Sequence, residues 1–269
     1  MAKIHPTAII DPKSRLAEGV EVGAYAVIGP HVSIGKDTAV GPHAVIEGHT
    51  EIGERCRIFS HACLGSAPQV RKPPSKSRLI IGNDNLIREF VTMNSGMYED
   101  SVTRVGSNNF IMMNAHIAHD CNLGSNITMA NVVSLAGHVT IEDFATIGGL
   151  TGIHQHVRVG RYSMIGGLAK VVADIPPFST CDGHPAVYYG INALGLKRAG
   201  FSPADRLVIK RALKILLASG KKISTAAEEV RSEFPGHPLA SVILEFVSGS
   251  KRGIVRTGTS FEEEPAEAV

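Results

Sequence analysis

Aliphatic side chains return at every sixth residue through most of the chain. From Ile4 the column runs through Ile10, Leu16, Val22, Ile28, Ile34, Val40, Ile46, Ile52 and Ile58 to Leu64. It slips across 65–79, resumes at Ile81, Ile87 and Met93, is interrupted at Glu99, and continues from Val105 to Val171. Two residues before its members stand smaller or β-branched residues such as Val20, Ala26, Val32, Ala44, Ala115, Val133 and Ala145. Residues two apart on a strand share a face. Each hexad therefore reads as one short strand with a large and a small side chain turned inward. A helix, whose period is roughly 3.6, cannot keep a six-residue period on one face. Stacked hexads predict a mainly β fold, a parallel β-helix in which each repeat is covered only by its neighbours.

Segments 65–79 and 94–104 break the period and are expected to leave the stack as loops, which in solenoids carry function or cap an edge. After Val171 the period stops, and Ile175-Pro176-Pro177 with 183–185 reads as a linker-like exit. Ser202-Pro203-Ala204-Asp205 has the capping Ser, first-turn Pro and following acid of a helix start. Thr225-Ala226-Ala227-Glu228 reads as a second such start, and a third helix is expected from Pro238 to Val247. The expected organisation is a β-helix over 1–175 with two excursion loops, a helical domain over 190–253, and a disordered acidic tail over 254–269.

Composition sharpens this picture. The chain has no Trp, 5% aromatic residues and 28 Gly, which suits an interior of small and aliphatic side chains. A formal charge of +2 asks for neither nucleic acid nor an anionic membrane. Cys56, Cys63, Cys121 and Cys181 show no zinc-ligand spacing and are expected as reduced thiols, with no metal site. No signal sequence begins the chain and no run of about 18 apolar residues occurs, so a cytoplasmic protein without a membrane span is expected.

Twelve histidines are many for this length, and none falls in an inward column. Six of them, His31, His43, His49, His61, His138 and His156, share one phase three residues before an aliphatic position, as a favoured turn or surface position would. In Asn114-Ala115-His116-Ile117-Ala118-His119-Asp120, Ala115 and Ile117 point inward, so His116 and His119 lie outside or at a corner. A histidine followed at once by a carboxylate suits a general base, because its ordinary pKa lies near 6.5. From spacing alone a surface histidine is the commoner reading.

The runs 114–120, 135–139 and 147–155, with Gly195-Leu196-Lys197-Arg198 and Gly200-Phe201, resemble the UDP-N-acetylglucosamine O-acyltransferase family over nearly the whole chain. The resemblance implies a left-handed β-helix with three hexads per coil. It implies transfer of a 3-hydroxyacyl chain from acyl carrier protein to the 3-position of UDP-N-acetylglucosamine, the first step of lipid A synthesis. His119 then matches the general base, Asp120 its orienting acid, and Gly137 the backbone oxyanion donor. Gln69, Lys72, His116, His138, His154 and Gln155 match residues around sugar and diphosphate, and Asn192 and Arg198 match nucleotide or carrier contacts. Gly167 matches the acyl-chain ruler. No cofactor is implied beyond the phosphopantetheine that the carrier brings, and the family forms homotrimers. Trimer formation has a physical reason too, because outward apolar residues such as Met112, Met113, Met129 or Leu150 need cover.

Some positions depart from the family. Val70 follows Gln69 where an acid is common, and Asn94-Ser95 stands where His-Arg is frequent. Leu194 and Ala199 replace polar residues, and Pro185 stands where some members have His. Val70 and Asn94 leave open a 3-amino sugar nucleotide as acceptor. A γ-type carbonic anhydrase shares the prism but gives the helical domain no role. The N-acyltransferase acting later in lipid A synthesis carries an extra domain before its hexads. A non-enzymatic hexapeptide scaffold is the remaining class. Between Gly190 and Arg256 stand twelve Lys and Arg against five acids, which suits docking of an acidic carrier protein.

Overall fold

The computed structural model describes residues 2–258. The hexads stack into a left-handed parallel β-helix with three flat sheets of eleven, nine and eight strands, most of them two residues long. Strand partners lie one coil apart, as in Lys3↔Glu21, Glu21↔Ala39 and Ile9↔Val27. Away from the two loops this register places each residue directly above the one 18 positions earlier, so equivalent positions form columns along the prism. Inward columns such as Ile28–Ile46–Leu64 and Ala26–Ala44–Ala62 are fully buried, while Ile4 at the uncovered first coil remains exposed.

The corners explain the histidines. Among the described residues, twenty other than Gly hold φ near +60°, most of them at corners, including His43, His61, His138 and His156. This left-handed conformation suits Asn, Asp and His better than β-branched residues. Stacking by coil then turns a shared phase into a shared column. Tyr25, His43, His61 and Phe90 stack ring on ring at 5.1, 4.9 and 4.9 Å, and His31 stacks on His49 at 4.3 Å.

Two polar residues escaped the sequence reading of the interior. Asn85 and Asn109 are buried one above the other. Asn85 Nδ2 donates to the Gly82 and Gly106 carbonyls, and its Oδ1 accepts the Asn109 N–H at 3.0 Å. Asn109 repeats the pattern with Gly124 O and the Ile127 N–H, so backbone groups at successive coils are satisfied by one ladder.

The loops are shorter than expected. Strands Cys63–Ser66 and Arg78–Ile81 bracket the first, and Thr92–Asn94 and Val102–Val105 bracket the second. Ser66, Arg78, Leu79, Asn94 and 102–104 therefore belong to the sheets. Partners across the loops are separated by 29 and 24 residues instead of 18, with no loss of stacking. The exit past 175 is not a linker. Ser179–Gly183 adds a parallel strand beside Met164–Ile165 and turns back as an antiparallel hairpin with Ala186–Ile191.

Among the described residues four helices follow: α1 (Ala193–Arg198), α2 (Pro203–Ala218), α3 (Ile223–Glu233) and α4 (Pro238–Ser248). Ser202 and Asp205 form the expected capping box. Helix α3 begins two residues before Thr225, at Ile223, and no side chain caps it. Arg158 of the prism reaches α4, donating to Phe246 O at 3.1 Å with its guanidinium 4.2 Å from the Phe246 ring centre. The segment expected to be tail from 254 is paired at first. Ile254 bridges Asp174, Val255 N–H donates to Asp174 O, and Tyr188 N–H donates to Arg256 O. The acidic stretch from 259 lies outside the described residues.

Candidate functional site

His116, His119 and Asp120 lie where strand His116–Ile117 runs into its corner. The alternation that buries Ala115 and Ile117 turns His116 outward, and its Nδ1 lies 2.8 Å from Thr92 Oγ1 one coil below. Asp120 takes the left-handed corner conformation, with φ 57°. Its N–H donates to Thr103 Oγ1 at 2.8 Å. Its Oδ2 lies 3.0 Å from His119 Nδ1 and accepts the Met97 N–H at 2.9 Å. Both side chains are mostly buried, 18% and 11% exposed, which protects the pair from competition by water.

One coil further on, the same corner supplies Gly137 and His138. Gly137 sits directly over the His119 ring: a Cβ built on it would lie 2.3 Å from Cε1 and 2.6 Å from Nε2. The face of His119 that carries Nε2 is thus open to Gly137 and closed to any larger residue. His138 packs edge-on to His119 at 5.1 Å, stacks on His156 at 4.6 Å, and brings Nε2 to 4.0 Å from Asp120 Oδ2. His154 and Gln155 follow, exposed, in the next coil. A groove of about 410 Å³ runs along this sheet past His116, Ala136, Gly152, His154 and Lys170. A larger hollow of about 640 Å³ lies near the first coils beside Ile4, Val22 and Phe59. It holds none of the residues of the His119 cluster, so we place the site at the smaller groove.

Electrostatics separates the roles. Burial works to raise the Asp120 pKa, but hydrogen bonds from Ser101, His119 and the Met97 N–H, with His138 nearby, outweigh it and hold the carboxyl below its ordinary value. Burial lowers the pKa of His116, helped by His119. It lowers that of His138 as well, against the pull of Asp120. The donor atoms of His119, Asp120 and His138 lie within 4.8 Å of one another. Asp120 Oδ2 is already committed to His119 and to Met97, so we assign no ion to them.

The depressed histidines set a stability prediction. An unfolded His binds its proton near pH 6.5, above the folded values of His116 and His138. As pH falls below about 6.5 the unfolded chain gains protons first, so stability is lost down to the folded pKa values. Thermal unfolding is expected at lower temperature at about pH 5.5 than at about pH 7.5, with a smaller difference in His116→Gln.

The structure thus brings His116, His119, Asp120, Gly137 and His138 together, with His154 and Gln155 one coil away. Among the described residues, no hydrogen bond or ion pair joins this cluster to Gln69, Lys72, Asn192, Arg198 or Gly167. Gln69 and Lys72 are exposed on the first loop. Asn192 caps α1, accepting the Gly195 N–H and donating to Tyr162 O. Arg198 is exposed at the end of α1. Gly167 lies three coils above Met113 at a neighbouring corner. Sequence reasoning missed Met97, Ser101, Thr103 and Thr92 as partners of the cluster. Coil stacking is the signal that finds Thr92, once the loop lengths are known.

Residues 174–255 match the family model described as UDP-N-acetylglucosamine O-acyltransferase, domain 2, and residues 1–36 match the bacterial transferase hexapeptide model. An acyl-[acyl-carrier-protein]--UDP-N-acetylglucosamine O-acyltransferase of Herminiimonas arsenicoxydans is 49% identical over 263 residues, covering 95% of this chain and 100% of that one. The protein of the same name from Thiobacillus denitrificans is 48% identical, again over 95% and 100%. The solved UDP-N-acetylglucosamine acyltransferase of Campylobacter jejuni superposes with a TM-score of 0.88 at 37% identity, covering 95% of this chain and 100% of that one.

Proposed function

The chain belongs to the UDP-N-acetylglucosamine O-acyltransferase family, and from that premise we propose how its residues perform the reaction. It is an acyltransferase of lipid A synthesis that moves an acyl chain from acyl carrier protein to UDP-N-acetylglucosamine. The observation that carries the mechanism is the stacking of Gly137 over a His119 whose Nδ1 is tied to Asp120.

A sugar hydroxyl is a poor nucleophile at neutral pH. His119 Nε2 takes the proton of the 3-hydroxyl as its oxygen attacks the thioester carbonyl of a 3-hydroxyacyl carrier protein. Asp120 keeps the proton on Nδ1 and steadies the imidazolium. The Gly137 N–H, which donates to no acceptor among the described residues, hydrogen-bonds to the carbonyl oxygen as it becomes an oxyanion. Collapse breaks the C–S bond, and the thiolate of the carrier's phosphopantetheine recovers the proton from His119. An ester forms and a thioester is consumed, with no cofactor of the enzyme's own.

His116 and His138 stay neutral and offer ring nitrogens to the sugar, with His154 and Gln155 beyond. Gln69, Lys72, Asn192 and Arg198 complete the diphosphate and nucleotide contacts from a neighbouring chain in a homotrimer. No hydrogen bond or ion pair among the described residues joins them to the His119 cluster within one chain, which supports that arrangement. So does the exposed corner column Val132, Leu150 and Leu168. Of the methionines expected to need cover, Met113 is exposed, but Met129 is fully buried in the interior. Reduced thiols, all four free, support a cytoplasmic setting. No described helix is long and apolar enough to cross a membrane.

The structure accounts for two departures from the family. Asn94 Nδ2 donates to Ala67 O and Ser66 O, and Ser95 Oγ meets Ser77 Oγ at 2.8 Å. Asn94 and Ser95 bind the two loops to each other, which weakens the argument from Asn94 for an amine acceptor. Val70 remains. The deciding assay offers UDP-N-acetylglucosamine and its 3-amino-3-deoxy analogue side by side with 3-hydroxyacyl carrier proteins. Ester formation on the first is expected, and amide formation on the second alone overturns the acceptor.

Two further outcomes are expected. A Cβ at Gly167 would lie 3.2 Å from Gly149 O, so a side chain fits with little adjustment and enters the path of the acyl tail. With about 0.8 kcal/mol per buried methylene, Gly167→Met is expected to shift preference to 3-hydroxyacyl chains two to four carbons shorter, read by competition between carrier-bound acyl groups. The acidic carrier docks on α2, where Lys210 and Lys214 are exposed. Arg211 is a poorer probe, because it pairs with Glu233 and lies over Phe234. Lys210→Glu with Lys214→Glu is expected to raise KM for the carrier about tenfold at low salt and less at high salt.

A further inference from the structure

The second excursion loop lies between the first loop and the catalytic carboxylate, and it bonds to both. On one side it serves Asp120. The Met97 N–H donates to Asp120 Oδ2 at 2.9 Å, and the Ser101 side chain helps hold that carboxyl below its ordinary pKa. Ser101 Oγ in turn accepts the Tyr98 N–H at 3.0 Å, which closes the loop on itself. The turn is so tight that a Cβ on Gly96 would lie 2.1 Å from Ser101 Oγ and 2.7 Å from Ser101 O. Asp120 is thus gripped at its side chain by residues 97 and 101, and at its N–H by Thr103 on the strand that follows.

On the other side the same loop is fastened to the first. Ser77 and Ser95 join their hydroxyls at 2.8 Å in a buried contact. Ser95 N–H donates to Ser66 O, Asp100 N–H to Lys76 O and Arg78 N–H to Ser101 O, at 2.9, 2.7 and 2.9 Å. Glu99 Oε1 accepts both the N–H and the hydroxyl of Ser75, at 2.8 and 3.1 Å. Glu99, the one break in the aliphatic column, is therefore a latch between loops. Ser101 is the junction, because its carbonyl takes the first loop's outgoing strand and its side chain acts on the Asp120 carboxyl.

We propose that residues 95–101 form a positioning strap for Asp120, with Ser101 and Glu99 as positioning residues. Through it, the loop that carries Gln69 and Lys72 is coupled to the His119–Asp120 pair. The proposal rests on the reading of that pair as the catalytic dyad. A carboxylate with two free rotamers would hold His119 in the correct tautomer only part of the time. The strap removes that freedom, and it does so best when the first loop is itself ordered, as when its Gln69 and Lys72 hold a sugar nucleotide at the neighbouring chain's site. Neither Ser101 nor Glu99 touches the reacting atoms.

The test measures catalysis and one signal that does not depend on it. In Ser101→Ala, kcat is expected to fall about tenfold while KM for the sugar nucleotide stays within about twofold, the pattern of lost positioning. In Glu99→Ala, kcat is expected to fall about threefold and KM for the sugar nucleotide to rise, because the first loop loosens. Glu99→Gln keeps the Oε1 acceptor and is expected to restore both values. A loop with only a structural role would lower the unfolding temperature without this division between kcat and KM. The independent signal is the downfield proton resonance of His119 Nδ1–H, assigned by its absence in Asp120→Asn. It is expected to shift and broaden in Ser101→Ala. An unchanged resonance with kcat as in the parent overturns the strap. A parent protein that acylates neither acceptor overturns the enzymatic reading instead, and the resonance still decides the strap.

Discussion

Replacing His119 by Ala is expected to lower kcat about 1,000-fold and to leave the thermal unfolding temperature nearly unchanged. The imidazole lies outside the prism, at a corner, so its removal empties no interior space. The apolar columns beneath it, Ala115, Ile117 and Cys121, remain fully buried. What is lost is the only ring nitrogen that meets Gly137 on one side while its partner nitrogen is held by Asp120 on the other. His138 lies close, but its Nε2 points toward Asp120 at 4.0 Å and its pKa is lowered mainly by burial. It cannot take over the base. Single-turnover acyl transfer measured beside thermal unfolding checks this. Activity within tenfold of the parent would mean that another group removes the proton.

Replacing Gly137 by Ala is expected to cost about 100-fold in kcat with little change in stability. Gly137 does not have a positive φ, so its backbone accepts an alanine without strain. The conflict is with His119 alone. The new methyl carbon would sit 2.3 Å from Cε1 and 2.6 Å from Nε2, far inside van der Waals contact. The ring must swing aside, and swinging it breaks the 3.0 Å bond to Asp120. A displacement of about 1 Å at a reacting atom is enough for a loss of this size. The measurement is kcat with saturating sugar nucleotide, beside a melting curve. A variant that melts like the parent and keeps full activity would place the reacting face of His119 elsewhere. His119→Ala on the Gly137→Ala background is expected to cost much less than on the parent, since the two changes disable one arrangement.

The neighbouring residues show why such effects were only partly legible in the chain. His119 next to Asp120 is adjacent in sequence, so a His–acid pair was visible at once. Gly137 was known only through family resemblance, because nothing local marks it. Its place over His119 follows from coil length, since 18 residues bring one corner above another. Met97 and Ser101 had no signal. They lie in a segment read as a period break, and which of its backbone N–H groups faces Asp120 depends on how the loop folds back. Asn94 and Ser95 were read as changes near the acceptor. In the structure their hydrogen bonds join the two loops.

The amino-acid sequence by itself determined the architecture. A six-residue aliphatic period admits one way of burying its side chains, as short strands stacked on their neighbours, and each hexad repeats that local decision without help from distant parts of the chain. It also determined the capping box at Ser202 and Asp205, which is formed by residues three apart. Tertiary structure decided everything that depends on the length and path of interruptions. The loops add residues with a single register shift, between Leu64 and Ser66, so the chain's period cannot say which loop atoms reach the corner at Asp120. The Asn85–Asn109 ladder, the hairpin past 175 and the docking of Val255 are further cases. In each, the partner lies at least one coil away or in a segment without a period, and only the folded prism brings the two within hydrogen-bonding distance.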